Sequence, residues 1–369
     1  MSRLFLRSAA GVLVLGVLLA GILEACGSTS EGTAPHSSSP TTQPAAATTP
    51  VSLPAGYGNA AALAVDPIRP GVWFLSAASP TDVAVFFWNA QTQVVRTYPL
   101  PDPEQHGMDF GLYAGLAATP TGTVWVGTGR TLAGIDERTG AVTYETPPQP
   151  EPVSLLAAIE SIAVGPGGEL AIAYNESPSV EVRSASGSYT TLTLPGGLLA
   201  SATAYLQDGT LGVAATVATG EAYGTVDFFA ADGAVSSVAA PSWGISAAGD
   251  RFLTSMQDVV FVSPPKAGQP AQVEPAIRQA QLPGNIVLQL GAGAQVAGSW
   301  VLASTRTGFV EVNQATGSIR TLTLPTTSCD GMIGPGPAPP PSPGSTAATT
   351  SRPCTIAESP TNFIVVVCI

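Results

Sequence analysis

The sequence predicts an all-β fold built from repeated four-stranded units, and three observations support this prediction. Short apolar segments of about four to six residues alternate with turns rich in glycine and proline. The 369-residue chain contains 40 glycines and 34 prolines, which suits many turns, and only 10% of its residues are charged. One unit, with turns at matching positions, recurs along the chain at a spacing of roughly forty to fifty residues.

The clearest copy of this unit runs from Gly115 to Pro147 and contains four apolar segments separated by turns. The predicted strands are Leu116–Thr119, Val124–Val126, Thr131–Ile135 and Ala141–Glu145. These segments are too short for helices and fit a strand meander. Five further stretches follow a similar pattern: Ala61–Pro101, Ser161–Gly196, Ala202–Pro241, Ile245–Ile277 and Leu290–Pro325.

Two sets of turns carry the repeat. Gly122, Gly168 and Gly209 fall at the same turn, 46 and 41 residues apart. The pattern D/N-x-x-T-G recurs at a later turn, in Asp136–Gly140 and Asn313–Gly317. One four-stranded unit cannot bury both its faces, whereas units stacked around an axis cover one another. The sequence therefore predicts a β-propeller of six to seven four-stranded blades, because a β-sandwich or separate small β domains would not explain the fixed spacing.

The chain ends are predicted to meet in the last blade of a propeller domain that spans residues 51–369. Val51–Pro54 resembles the strands that close the third and sixth units, yet it precedes the first unit. We expect it to pair with the C-terminal strands Thr355–Ala357 and Phe363–Ile369. This composite blade would be the seventh. If the C-terminal segment only packs against the edge of another blade, the propeller has six. Residues 334–353 are rich in proline and are predicted to form an exposed loop.

The N-terminus has the features of an export signal. Arg3 and Arg7 precede the apolar run Ser8–Leu23, which is shorter than the roughly 20 residues of a membrane-spanning helix. Leu23–Cys26 resembles the bacterial lipoprotein lipobox, which implies a signal peptide over residues 1–25 and lipidation of Cys26. The alternatives are an uncleaved signal anchor and an ordinary secreted protein. Residues 26–50 are rich in Ser, Thr and Pro and read as a disordered tether.

The charge of the chain restricts its partners. The formal net charge is −12, and Lys266 is the only lysine. Such a surface repels phosphate backbones, so nucleic acid is not an expected partner. The expected partners are the membrane, through the lipid anchor, and an unidentified protein, glycan or small molecule.

Three cysteines follow Cys26, and an exported protein is expected to form one disulfide from them. If Ser359–Asn362 turns a hairpin, Cys354 lies nearly opposite Cys368, which favours that pair. Cys329–Cys354 is the alternative, and it would close the proline-rich loop.

The blade pattern as a whole is similar to the blades of virginiamycin B lyase-like and NHL-type propellers. It reads [V/A]-x-P-x-G-x-x-W, then D/N-x-x-T-G, then a strand that ends in Leu-Pro, and it covers most of residues 55–325. The lyase members of this family use a histidine, acidic residues and a divalent metal in late blades. The only histidines here are His36 and His106, and neither lies in the fourth to sixth units. The resemblance therefore implies the scaffold without the catalytic set.

Two places carry candidate chemistry. In Pro101–Asp109, His106 is accompanied by three carboxylates, including that of Asp109, a combination that can bind metal or transfer protons. The alternative is a solvated loop. Glu160 precedes the predicted inner strand Ile162–Val164 and could point into the central channel.

The sequence is thus predicted to encode a lipid-anchored, extracytoplasmic propeller that acts as a non-catalytic binding or scaffold protein without a cofactor. The alternative function is a metal-dependent lactonase or lyase of the propeller type. In that alternative His106, Asp109 and Glu160 hold a divalent metal.

Overall fold

The computed structural model describes residues 48–51, 57, 60–109, 114–148, 158–175, 177–216, 224–256, 258–266, 268–283, 288, 294–297, 299–305, 308–323, 354–358 and 364–368. All of them belong to the compact unit Pro40–Ile369. Their regular structure is strand, apart from three short 3-10 segments: Pro103–His106, Pro195–Gly197 and Gln279–Gln281. Within these residues no helix is long and apolar enough to cross a membrane. The predicted signal peptide lies outside them.

The strands form six four-stranded antiparallel sheets, called blades 1 to 6 in chain order, and one three-stranded sheet. The first strand is β1 (Thr48–Val51). Blade 1 contains β2 (Ala60–Val65), β3 (Gly71–Ser79), β4 (Asp82–Asn89) and β5 (Val95–Pro99). Blade 2 contains β6 (Ala114–Ala118), β7 (Thr123–Thr128), β8 (Thr131–Asp136) and β9 (Val142–Glu145). Blade 3 contains β10 (Ile159–Val164), β11 (Leu170–Tyr174), β12 (Ser179–Arg183) and β13 (Tyr189–Thr193).

The second half of the chain continues in the same way. Blade 4 contains β14 (Leu199–Tyr205), β15 (Leu211–Thr216), β16 (Gly224–Phe229) and β17 (Val235–Ala240). Blade 5 contains β18 (Gly244–Ala248), β19 (Arg251–Ser255), β20 (Val259–Ser263) and β21 (Gln272–Ile277). Blade 6 contains β22 (Ala294–Ala297), β23 (Trp300–Thr305), β24 (Gly308–Asn313) and β25 (Ile319–Thr323). The C-terminal strands are β26 (Cys354–Glu358) and β27 (Ile364–Cys368).

The repeated turns have the conformations that their residues demand. Gly122, Gly168 and Gly209 have φ of 84°, 82° and 86°, a left-handed region that favours glycine. Each donates its backbone N–H to the carbonyl three residues earlier, at 3.0–3.2 Å. This confirms the predicted equivalence of the three turns between first and second strands.

The later turn is fixed by a side chain. The Oδ1 atoms of Asp136 and Asn313 accept the backbone N–H groups two and three residues later, at 2.8–3.0 Å. Asn89 makes the same contacts in blade 1, at 2.9 Å. Asp and Asn suit this position because their short side chains can reach the following backbone.

Consecutive blades pack against each other, with their first strands side by side from β2 to β22. Blade 1 presents Trp73 and Phe87 to Val126 and Ile135 of blade 2, and all four side chains are buried. Similar apolar clusters form between the later neighbours. The core is therefore divided among the spaces between blades, as the predicted β-propeller requires.

The two ends of the described chain share the three-stranded sheet. β1 pairs with β26, from Thr48 opposite Ala357 to Val51 opposite Cys354, and β26 pairs with β27. The two chain ends share a sheet as predicted, but its N-terminal strand is Thr48–Val51 and lies mostly in the segment that we predicted to be tether. Of the predicted strand Val51–Pro54 only Val51 takes part, and residues 52–54 lie outside the described residues. Cys354 lies opposite Cys368 in the strand register. The disulfide itself stays a prediction, and Cys329 lies outside the described residues.

Arg69 connects blades 1 and 2. One guanidinium nitrogen, Nη2, lies 2.6 Å from Oδ2 of Asp66 and 2.5 Å from Oε2 of Glu137, and the group stacks 4.2 Å from the ring centroid of Phe87. The indole N–H of Trp73 donates to the same Asp66 oxygen at 2.8 Å. Burial raises the pKa of Asp66, but the hydrogen bonds from Arg69 and Trp73 outweigh it and lower that pKa below its ordinary value.

We predict that Arg69→Met lowers the free energy of unfolding by about 1–3 kcal/mol at pH 7, because buried Asp66 loses a charged hydrogen-bond partner. Since the pKa of Asp66 is lowered, the stabilisation exists above the unfolded pKa and disappears as pH falls through the folded value. Thermal unfolding at pH 7 and pH 3 measures both effects. The control is Arg138→Met, an exposed arginine of a neighbouring turn. Equal midpoints for the two variants would contradict the prediction.

Candidate functional site

One face of the propeller is formed by the connections between consecutive blades and by the turns between second and third strands. We call it the entry face. In an antiparallel meander these segments lie at the same end of every sheet. Backbone hydrogen bonds join them: Ile159 donates to the carbonyl of Gly129 at 2.7 Å, and Ala200 donates to that of Ser177 at 2.9 Å. All three predicted site residues lie on this face: His106, Asp109 and Glu160.

The described part of the connection from β5 to β6, residues 100–109, is a fixed loop. Asp102 and Gly107 have left-handed φ of 48° and 75° and flank a single 3-10 turn. Met108 donates its backbone N–H to the carbonyl of Pro103 at 3.1 Å. Its side chain is buried in the core between blades 1 and 2. The loop therefore holds its side chains in defined positions.

His106 is used in packing. Its imidazole stacks on the ring of Tyr144, with centroids 3.9 Å apart and an angle of 11° between the planes. The Tyr144 hydroxyl donates to the carbonyl of Pro101 at 2.6 Å. Burial, together with the nearby Asp102, raises the pKa of Tyr144 to about 12. Because Tyr144 belongs to β9, the outermost strand of blade 2, His106 lies far out along that blade.

Asp109 lies against the turn between β7 and β8. The Thr128 hydroxyl donates to the Asp109 carbonyl. At Gly129 a Cβ atom would come within 2.8 Å of the Gly107 carbonyl oxygen, so only glycine permits this approach. The backbone of Asp109 is thereby fixed beside the turn that also binds the start of β10, and its side chain is exposed.

Glu160 occupies a β-bulge. Ile159 lies opposite Tyr174 and Ser161 lies opposite Ala173, so Glu160 is an extra residue in β10. The sequence prediction placed Glu160 before the inner strand, and this was wrong, because β10 begins one residue earlier. A bulge changes the direction in which a side chain points and is common at rims and functional sites.

The same bulge recurs in other inner strands, but with different consequences. β2 and β14 have matching register shifts at Ala61 and Ser201. The Ser201 hydroxyl donates to the carbonyl of Ala214 at 3.0 Å, so this hydroxyl has its hydrogen-bond partner within its own blade. Glu160 is only 7% exposed. No hydrogen bond or ion pair joins its carboxyl group to another described residue.

The described strands that pack against β10 carry no counter-charge for Glu160. β10 packs against β6, β7, β11 and β14. These four strands contain no Asp, Glu, Lys, Arg or His. Burial raises the pKa of Glu160 to about 8, so its carboxyl group is mostly protonated at neutral pH. The structure thus holds an unpaired carboxylic acid on a rigid inner strand.

The predicted metal set is not assembled. His106 packs on the outermost strand of blade 2, whereas Glu160 lies on the innermost strand of blade 3. Among the described residues, which include His106, Asp109 and Glu160, no three His, Cys, Asp or Glu side chains are placed to hold a metal ion.

Two further buried polar groups were missed by the sequence reasoning. Glu181 is 1% exposed and accepts the Thr191 hydroxyl at 2.7 Å through Oε1, while Oε2 has no partner among the described residues. The buried hydroxyl of Tyr174, whose pKa is raised by burial and by Glu181, likewise lacks a partner in the described chain. Neither atom is open to solvent, so they belong to the space between blades 2 and 3.

The sequence does contain a signal that indicates buried carboxylates of this kind. Glu181, Asp227 and Glu311 each occupy a third strand, flanked by apolar residues, and each is buried. Strand alternation therefore directs them toward a neighbouring sheet rather than solvent. For Glu181 and Asp227, burial raises the pKa, and hydrogen bonds from hydroxyl groups oppose this effect.

Comparison with solved structures identifies the class of fold. A streptogramin B lyase aligns over 78% of this chain and 90% of its own, with a TM-score of 0.59 and 12% identity. A catalytically inactive virginiamycin B lyase from Staphylococcus aureus, solved with quinupristin, aligns over 69% of this chain and 79% of its own, with a TM-score of 0.51 and 15% identity. The chain is therefore a β-propeller protein, and such low identities show the fold without the activity. No family model and no curated protein sequence matches the chain.

We predict that Glu160→Gln is more stable than the wild type at pH 8, by on the order of 4 kcal/mol, because the amide cannot ionise. A carboxyl pKa raised by folding destabilises the folded state progressively as pH rises from the unfolded value of 4.5 to about 8. The difference should therefore vanish near pH 4. Thermal unfolding of both proteins across this range is the measurement.

The matched control for this prediction is Glu104→Gln. Glu104 is an exposed glutamate of the same face, and its substitution should leave the midpoint close to that of the wild type. A stability difference at Glu160 that does not change with pH would show that the carboxyl group is not held protonated by burial.

Proposed function

We propose that this protein is an exported, lipid-anchored β-propeller that binds its ligand on the entry face, around Glu160, and does not catalyse a reaction. The observation that carries the proposal is the Glu160 carboxyl group, which is buried and has no partner among the described residues. Burial makes ionisation of this carboxyl group costly. A ligand that supplies a partner offsets this cost, so the arrangement favours binding.

The geometry around Glu160 supports a binding role. The start of β10 is held from two sides: Ile159 is bonded to Gly129 of blade 2, and Ala158 exchanges hydrogen bonds with Asn175 of its own blade. A site on a strand fixed in this way is preorganised, which lowers the entropy lost on binding.

The alternative enzyme function has weaker support. The lyases share the propeller fold at 12% and 15% identity, which carries over the scaffold alone. In addition, the His106 imidazole stacks on the outermost strand of blade 2, whereas Glu160 lies on the innermost strand of blade 3. We therefore retain the lyase-like scaffold as the basis of a binding protein.

The location of the protein is proposed from the N-terminal sequence. Arg3, Arg7 and the apolar run that ends at Leu23 fit an export signal, and Leu23–Cys26 fits a lipidation site. One acyl chain binds membranes only marginally, so stable anchoring requires a second chain or another membrane-binding signal.

We predict that Cys26→Ser moves the full-length protein from the membrane fraction to the soluble extracytoplasmic fraction, because the residue that carries the lipid is lost. Labelling with a palmitate analogue and cell fractionation measure the effect. Cys329→Ser serves as the control and should remain in the membrane fraction with its label. A Cys26→Ser protein that stays labelled and membrane-bound would contradict the lipid anchor.

Binding on the entry face is tested by screening small molecules and glycans for an increase in the midpoint of thermal unfolding. We expect compounds that stabilise the wild type to lose their effect on Glu160→Gln. They should keep it on Asp232→Asn, which changes an exposed turn between β16 and β17 at the opposite face. Compounds that stabilise the wild type and Glu160→Gln equally would contradict the proposed site.

A further inference from the structure

We propose that the ligand of the entry face carries a protonated amine, which forms with Glu160 the ion pair that the protein does not provide. This inference rests on the binding function proposed above and specifies the chemistry of the ligand. It follows from the position of Glu160, from the composition of the strands around it and from the number of acidic groups present.

The first argument is the absence of a protein counter-charge. The strands packed against β10 hold only two titratable side chains, Tyr174 and Tyr205, and no charged residue. Arg130 and Asp109 lie on the turn and connection beside the start of β10, and each has an interaction of its own. Among the described strands around β10 none supplies a cation to Glu160, so a cation carried by the ligand would complete the site.

The second argument concerns which cation fits. A divalent metal ion in a protein takes about six oxygen ligands or more, commonly from several carboxylates. The described residues offer no group of three acidic or histidine side chains. An ammonium group needs fewer partners, because one carboxylate neutralises its charge and two or three acceptors satisfy its N–H groups.

The third argument concerns the rest of the ligand. The strands around Glu160 are rich in small apolar side chains, with the sequences AGLAA in β6 and LASATAY in β14. Most of these side chains are buried against neighbouring strands, and such apolar surroundings disfavour a second charged group in the ligand. The expected ligand class is therefore a primary or secondary amine without a second charged group.

This chemistry predicts a proton linkage. Burial raises the pKa of Glu160 to about 8, so the free protein holds a proton on this carboxyl group at neutral pH. The amine binds the ionised carboxylate, and the carboxyl proton passes to solvent. Affinity should therefore rise about tenfold for each pH unit from 6 up to nearly 8, and then level off.

The test is calorimetric titration of the purified full-length protein at pH 6, 7 and 8 with three probes of one shape. These are cyclohexylmethylamine, cyclohexylmethanol and cyclohexanecarboxylate. We expect the amine alone to bind, with affinity about tenfold higher at pH 7 than at pH 6 and with release of one proton. Glu160→Gln should abolish binding, whereas Glu104→Gln should leave it unchanged.

Several results would overturn the inference. Equal binding of the alcohol and the amine would show that the site recognises a neutral group or only the apolar body. Amine binding that is independent of pH, or that survives in Glu160→Gln, would place the amine elsewhere. If the amine fails to bind while other compounds from the screen bind through Glu160, the amine class is wrong and the proposed entry-face function stands.

Discussion

Each blade of this propeller depends on its neighbours, because a four-stranded sheet with two apolar faces must have both faces covered by other sheets. Between blades 4 and 5, for example, Phe228 lies 5.8 Å from Phe252, measured between ring centroids. Burying one such side chain contributes about 1.5–3 kcal/mol. Because these contacts run along both sides of each inner blade, the stability of the described chain is distributed over the spaces between sheets.

Ion pairs between arginines and carboxylates of neighbouring blades are compatible with this packing where they reach the edges of the spaces. Arg69 joins Glu137 across blades 1 and 2, and Arg183 joins Glu145 across blades 2 and 3. Each guanidinium also covers an aromatic ring, so its apolar face is buried while its N–H groups meet carboxylates. Glu160 differs from these residues because its surroundings are apolar strands, which is the physical reason for its protonated state and for its proposed role.

Much of this architecture was predictable from the sequence. Gly122, Gly168 and Gly209 marked one turn of the blade because a left-handed backbone selects glycine, and Asp136 and Asn313 marked another because their side chains bind the following backbone. Both signals depend on residues within a single turn, so they can be recognised in the sequence without a structure.

The candidate site was less predictable, for reasons that depend on tertiary contacts. The acidic loop around His106 looked chemically active, but the partner that fixes the imidazole, Tyr144, lies 38 residues further along the chain. The bulge at Glu160 depends on the register between β10 and β11, which no pattern within β10 reveals. Burial of Glu181 could have been inferred from alternation in its strand, whereas its unpartnered oxygen could not.

The measurement that tests this account most directly is an NMR titration of the glutamate side-chain carboxyl carbons, labelled with ¹³C, in which Glu160→Gln identifies the Glu160 signal. We predict that this signal keeps the chemical shift of a protonated carboxylic acid at pH 7 and titrates near pH 8, as burial among uncharged strands requires. A signal that titrates between pH 4 and 5, like that of a solvent-exposed glutamate, would contradict the account. Glu160 would then be an ordinary surface carboxylate, and the entry face would lose the group on which its proposed function depends.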